Sequence, residues 1–371
     1  MTTAFIVNSG SSSIKWELVD VESERRVRGG IVERIGEPGA AADHAEAMRG
    51  ILGELGGEHP SVIGHRVVHG GSRFTTATLV TDEVEAAIEA LSALAPLHNP
   101  PNLAGIRAAR VAFPGVANVA VFDTAFHQSL PPAAYTYAID SAVAHEHSIR
   151  RYGFHGTSYQ YVSRRAAALL SRPLEQLKLI VFHLGNGASV AAIDGGRSVD
   201  TSMGMTPLEG LVMGTRSGDL DAGILFHLGR AGHTLPELDA MLNRRSGLLG
   251  VGGSGDLRDI QAAAGSGDAA AALALDVYHH RLRHYLGAYL VQLGGADAIV
   301  FTAGVGENSA PTRAAAVSGL GWLGIELDDA RNDLRSRDAR VISTDASPVA
   351  ILVVPTNEEL EIARQAIALV R

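Results

Sequence analysis

The chain has 371 residues, a net charge of −9 and no cysteine. Its length suggests two domains with core enough to do without disulfides or a structural metal, and the lack of cysteine excludes zinc ribbons and thiol nucleophiles. The acidic balance argues against a nucleic-acid partner, and no apolar run approaches the roughly 18 residues of a membrane helix or forms a secretory h-region, so a cytoplasmic protein with no membrane or nucleic-acid partner is expected.

The opening of the chain reads as a hairpin. Phe5-Ile6-Val7 is a short apolar strand, Asn8 to Ser13 a small-residue turn, and Ile14 to Val19 alternates with the period of two of a half-buried strand. Asn8-Ser9-Gly10-Ser11-Ser12-Ser13-Ile14-Lys15 offers backbone amides, hydroxyls and one ammonium, the makings of an anion nest. It lacks the Walker A order, a strand follows it, and a plain hairpin turn could carry the same residues. Lys15 stands out all the same, because Lys178 is the only other lysine.

Residues 36–58 are low in complexity, and Val62 to Val68 is the next strand. Asp82 to Leu94 has helical spacing behind a Thr81/Asp82 cap. Val119 to Phe122 is a buried strand ending at Asp123, where a carboxylate must have a partner or a task.

The second half starts in the same way. Leu177 to Phe182 is mostly apolar, His183 to Gly187 a turn, Ala188 to Ile193 a strand, and Asp194 begins the turn back. Residues 5–20 and 180–194 thus share one order, strand, glycine-rich turn, strand, Asp. This weak repeat points to duplicated α/β halves, although any pair of strands around a turn reads similarly. Ala269 to Leu293 is one long helix, Ala298 to Thr302 a strand, and Gly304 to Asn308 a third glycine-rich turn before another helix. Val349 to Val354 is the last strand. Three glycine-rich turns after buried strands lie where α/β sheets bind ligands, and together they suggest a nucleotide held between two halves.

Arg66 and Arg216 each stand near a glycine, in Gly64-His65-Arg66 and Gly214-Thr215-Arg216, and guanidinium suits a bidentate grip on carboxylate or phosphate. A surface salt bridge is the commoner use of an arginine. His155 sits among glycines, in a setting that also fits an ordinary loop histidine. His280 and His284 are one helical turn apart but lack a third ligand, so zinc has little support. No Gly-x-Ser-x-Gly elbow supports an esterase.

Taken together the motifs closely resemble the acetate kinase (acetokinase) family. The stretches that carry the resemblance are 8–15, 64–71, 95–102, 122–127, 152–158, 183–187, 206–211, 214–216, 304–308 and 355–360, in the family's order. The resemblance implies an α/β fold of two duplicated ribonuclease-H-like domains with a nucleotide cleft between them, as in sugar kinases, heat-shock chaperones and actin. It divides the chain into an N-terminal domain, 1–124, to which 361–371 returns, and a C-terminal nucleotide-binding domain, 125–360. The implied activity is reversible transfer of the ATP γ-phosphoryl group to acetate, giving acetyl phosphate and ADP by in-line displacement. Propionate or another short carboxylate is the alternative acceptor, and a homodimer is the usual assembly.

By the same resemblance Asp123, His155 and Arg216 are catalytic, while Arg66, Val68, Leu97, His98, Phe154 and Pro207 surround the substrate. The nucleotide would meet Lys15, then His183, Leu184, Gly185, Asn186 and Gly187, then Asp256, Leu257 and Arg258. It would also meet Gly304, Val305, Gly306, Glu307 and Asn308. Asn8 and Glu358 match a Mg²⁺ site, with Mn²⁺ as an alternative ion. Two departures stand out: the chain is shorter than usual around residues 21–60, and the loop near 253–258 is one residue short.

The chemistry explains these residue types. A short carboxylic acid has a pKa of about 4–5, like side-chain carboxyls, so acetate needs no general base before it attacks. The difficulty is that two anions must meet in line, which calls for positioning and positive charge. Asp123 is then expected to orient an arginine or a metal-bound water, although proton transfer is the role conventionally given to it.

Overall fold

A computed structural model describes residues 2–371. It divides into two compact units. The first holds the chain up to Gln128 with Phe154–Tyr161 and Asn357–Arg371, and the second holds Ser129–Gly153 and Val162–Thr356.

The first unit is built on β1 (Thr3–Ser9), β2 (Ser13–Asp20), β3 (Arg25–Glu33), β4 (Val62–Val67), β5 (Thr78–Leu79) and β6 (Asn118–Phe122). These lie in the order β3-β2-β1-β4-β6-β5. The first three strands are antiparallel neighbours, and β4 and β6 continue the sheet parallel to β1. Ala4 to Val7 are all buried because both faces of β1 are covered, hence an unbroken apolar run and no alternation. β2 alternates, burying Ile14, Trp16 and Leu18 and exposing Lys15.

Phe5, Val7 and Trp16 pack with Ile51 and Leu55 of the helix His44–Leu55 and with Ala108 and Ala109 of the helix Asn99–Ala112. Each of the larger of these apolar side chains, such as Phe5 or Ile51, contributes about 1.5–3 kcal/mol on burial. The C-terminal helix Glu358–Val370 lies against β1, β4 and β6. Gly64 admits it: a Cβ there would lie 2.7 Å from Ile362 Cγ2 and 3.0 Å from Ile6 Cδ1. The helix expected over 82–94 is α-helical from Asp82 to Ala90, capped by Thr81, and tightens into a 3₁₀ turn over Leu91–Ala93.

The second unit repeats the plan. Its strands are β7 (Lys178–Leu184), β8 (Ala188–Asp194), β9 (Arg197–Thr201), β10 (Ala298–Thr302), β11 (Arg340–Val341) and β12 (Ala350–Val353). They run β11-β12-β10-β7-β8-β9, with β7, β8 and β9 antiparallel and β10 and β12 parallel to β7. Strand order and sense therefore match the first sheet, as the repeat suggested. The long helix spans Ala269–Leu293, begun by an Asp268 cap and ended by Gly294 at φ +65°.

Two local expectations need correction. His183 and Leu184 belong to β7, paired with Ser189 and Ala188, so the turn is confined to residues 185–187. Gly304–Asn308 is not a turn but part of a short helix, Ala303–Asn308. Ala303 takes a left-handed φ of +64° and turns the chain straight from β10 into that helix. The glycines cost helix propensity, about 1 kcal/mol each, yet at Gly306 a Cβ would crowd the Phe301 backbone at 3.3 Å. Among the described residues no helix is long and apolar enough to cross a membrane.

Candidate active site

In the first unit the end of the parallel strands gathers most of the expected catalytic groups. Arg66 lies on β4 and Asp123 directly follows β6, whose register sets Arg66 opposite Val121. The Asp123 carboxylate is buried and accepts Arg66 Nε at 3.1 Å on each oxygen and Nη2 at 2.7 Å on Oδ2. Asp123 in turn holds the guanidinium pKa well above its usual value. The main-chain carbonyl of Asp123 accepts Gly156 N at 2.9 Å, which brings the backbone beside His155 to it. His155 itself has φ +59°, a conformation that costs a non-glycine residue energy and is found disproportionately at functional sites.

Glu358 belongs to the same cluster. Burial pushes its carboxyl up to about 7, Arg66 pulls it down, and Asp123 and Glu359 add to the rise. Lys15 bonds Glu359 and lies 3.8 Å from Glu17. Burial works against its charge, but these carboxylates outweigh it and raise its pKa. Asn8 faces Lys15 across the β1–β2 ladder.

Of the expected acyl wall, Val68 and Phe154 are buried, and the Phe154 ring meets His69 edge-on at 5.6 Å. Leu97 is 54% exposed, and His98 immediately precedes the helix Asn99–Ala112. Two residues of that helix were not singled out from the sequence. Asn102 accepts Val68 N at 3.0 Å and donates to Ser9 O at 2.7 Å, while Asn99 accepts His69 N and donates to His69 O. They tie the chain after β4 to the first turn. Both lie within the 95–102 motif, which was the only signal for them.

In the second unit a cavity of about 700 Å³ takes Gly185 and Asn186 from the turn after β7, and Gly304, Val305 and Asn308 from the helix after β10. Asp256, Leu257 and Arg258 also line it. Asp256 caps the helix Leu257–Gly265 by accepting Arg258 N, and the Arg258 guanidinium folds back onto the same carboxylate. His183, Leu184, Gly187, Gly306 and Glu307 belong to the same segments but do not line the cavity. Gly214 must be glycine, since a Cβ would lie 2.6 Å from Asn186 Oδ1 and 2.7 Å from Gly255 O. Leu248, Gln261 and Tyr278 complete much of the lining and gave no sequence signal, being single side chains within helices.

Arg216 and Pro207 belong to this unit as well. Arg216 Nη1 rests on Pro207 O at 3.2 Å, and burial alone acts on its charge, lowering its pKa. Among the described residues no carboxylate pairs with it, which leaves a partly buried guanidinium ready for an anion.

The chain thus consists of two like-built α/β units: one presents an arginine locked by a buried aspartate, the other a glycine-lined cavity of about 700 Å³. The chain matches the Acetokinase family over residues 3–364 and belongs to it. It is 61% identical to the acetate kinase of Leifsonia xyli subsp. xyli, over 99% of this chain and 98% of that protein. To the acetate kinase of Streptomyces avermitilis it is 52% identical, over 100% and 98%. Among solved structures it is similar to Porphyromonas gingivalis acetate kinase, with TM-score 0.96, 40% identity and 100% of both chains covered. It is also similar to a propionate kinase from Francisella tularensis, with TM-score 0.94, 38% identity and coverage of 99% and 100%.

Proposed function

We propose that the protein transfers the γ-phosphoryl group of ATP to acetate, reversibly, forming acetyl phosphate and ADP. The observation that carries this reading is the Arg66–Asp123 pair, a fixed guanidinium two residues from the buried Val68. A short carboxylate needs such a seat, with a cation for its oxygens and an apolar wall for its methyl group. With Nε and Nη2 committed to Asp123, Arg66 keeps Nη1 for the substrate.

The carboxylate oxygen attacks phosphorus in line while the bond to the ADP oxygen breaks. Acetate is already deprotonated, so no proton moves in that step. Arg66 holds the carboxylate, and Arg216 and His155 stabilise the charge spread over the phosphoryl oxygens. Asp123 orients Arg66. Gly185, Asn186 and the helix Ala303–Asn308 hold the nucleotide, with Asp256 to Arg258 lining the same cavity.

Mg²⁺ fits the donor set. Among the described residues no three acidic or histidine side chains form a ready metal cage, but Mg²⁺ keeps most of its waters and takes only one or two carboxylates. Glu358, half-buried and close enough to Asp123 to feel its charge, is an oxygen donor that a cation would relieve. Glu358 and Asn8 would hold the ion, which when bound neutralises phosphate charge.

Propionate is a slower substrate on this reading, because one methylene against a wall bearing valine is worth only about 1–3 kcal/mol. Assembly as a homodimer accords with the exposed apolar side chains Phe226 and Leu235 of the second unit. The test is a hydroxamate assay with ATP, Mg²⁺ and a series of short carboxylates. Acetate should give the highest kcat/KM, and Arg216→Ala should collapse kcat while leaving the KM for ATP nearly unchanged. A higher kcat/KM for propionate, or no acyl phosphate at all, overturns the reading.

A further inference from the structure

Residues 202–222 carry Pro207 and Arg216 but contain no helix or strand. So long an irregular run needs its backbone groups satisfied from outside. Asp219 is where that happens. Its Oδ1 accepts Gly210 N at 2.8 Å, and its own N donates to Gly210 O at 3.0 Å, closing residues 210–219 into a loop. Its Oδ2 accepts Tyr285 Oη at 2.8 Å and Arg281 Nη1 at 3.0 Å, both from the long helix Ala269–Leu293. The loop ends meet closely, with Gly210 at φ +107° and Gly218 at φ +68°.

At the far side of the loop Met213 N donates to Arg216 O at 3.1 Å, and Arg216 Nη1 returns to Pro207 O. Another carboxylate of the segment, Glu209, is taken by Arg151 Nη2 at 2.6 Å and by the Tyr137 hydroxyl. Glu209 and Asp219 are therefore each matched with one arginine and one tyrosine of their own, while Asp221 accepts Gly223 N at 2.8 Å. Arg216, between Glu209 and Asp219 in the chain, is left without a carboxylate among the described residues.

We propose that Asp219 is the positioning residue of Arg216. Anchored by Arg281 and Tyr285, it staples the Pro207 stretch to the Arg216 stretch, and its charge is spent on Arg281 and withheld from Arg216. The inference rests on the reading of Arg216 as a group that binds the transferring phosphoryl.

The test is a double-mutant cycle on the purified full chain, with kcat, KM for ATP and thermal midpoint measured for each variant. Asp219→Ala should lower kcat about 10²-fold while the KM for ATP stays within about twofold. Asp219→Asn, which keeps an acceptor for Gly210 N, should recover much of that loss. In an Arg216→Ala background Asp219→Ala should cost no further kcat, because its effect passes through Arg216. Should Asp219→Ala fail to fold, Tyr285→Phe removes a single hydroxyl and should lower kcat about 3–10-fold at unchanged KM for ATP. Independent losses in the cycle, or an unchanged kcat in Asp219→Ala or Tyr285→Phe, overturn the proposal with Arg216 still essential. Full activity in Arg216→Ala alone overturns the underlying reading instead.

Discussion

Arg66 and Asp123, 57 positions apart in the chain, are joined through three hydrogen bonds at the ends of two parallel strands. Asp123 is only 1% exposed, and a carboxylate so buried is tolerable because the guanidinium neutralises it. The pair makes each residue the condition of the other: Asp123 fixes the plane of the guanidinium, and Arg66 supplies the positive charge that a buried carboxylate needs.

A carboxylate committed in this way is poorly placed to accept a proton. Asp123→Asn should lower kcat about 10²–10³-fold, the cost of a misdirected charged donor. The shape of the pH–rate profile between about pH 5 and 9 should stay as in the wild type, only lower. Loss of one limb of that profile in the variant would show Asp123 itself titrating during turnover.

Glu358 gives a second test. Its carboxyl is the oxygen donor assigned to Mg²⁺, and its burial beside Asp123 and Glu359 makes an ion worth more there than at the surface. Glu358→Gln keeps the volume and removes the charge. Initial rates against free Mg²⁺ should show the half-maximal concentration rising about 10–100-fold. An unchanged Mg²⁺ requirement would place the ion elsewhere.

Strands were legible in the sequence where burial was total. Phe5 to Val7 and Ala298 to Thr302 read as strands because nothing polar interrupts them, and the long helix read over 269–293 has those bounds in the structure, where Asp268 and Gly294 cap it. The helix Asn99–Ala112 was not read, because Pro100 and Pro101 look like loop residues. In the first turn of a helix proline loses nothing, since its missing N–H would be unpaired there. The residues of the site were legible only through motifs. That Arg66 touches Asp123 follows from the β4–β6 register, which spacing along the chain does not reveal. Gln261 and Tyr278 stayed silent because a polar side chain on a helix shows its use only once the cavity beside it exists.

His65, the neighbour of Arg66 on β4, sets an acid limit on the first unit. Its Nε2 lies 2.7 Å from Asn118 Oδ1, and Asn118 is oriented by its own bond to Val116 O. Burial depresses the imidazole pKa to about 4, against an ordinary 6.5, and the bond to Asn118 only partly offsets this. The unfolded chain therefore binds a proton that the folded one refuses, so the contribution to stability is complete above pH 6.5 and is lost as the pH falls towards about 4. By pH 5 the loss is on the order of 2 kcal/mol. Urea unfolding at pH 7.5 and 5.0 should show it, and His65→Gln should shrink the difference between the two. An equal difference in the variant would assign the acid sensitivity to another group.

Gly64 tests how the C-terminal helix is seated. Its backbone is ordinary β-strand, so alanine brings no conformational penalty, and the only consequence is the new methyl group, 2.7 Å from Ile362 Cγ2. Ile362 is itself buried, with Ile6 close on the other side, so neither neighbour can retreat into solvent. Gly64→Ala should therefore destabilise by about 1–3 kcal/mol, the usual cost of overpacking. Truncating the obstacle should reverse part of that: in Ile362→Ala the added methyl enters the space just vacated, and Gly64→Ala should then cost less than it does alone. Denaturant midpoints of the two single variants and the double measure this directly. If the two changes simply add, the methyl group and Ile362 do not meet, and the close approach of the helix to β4 is not what glycine provides.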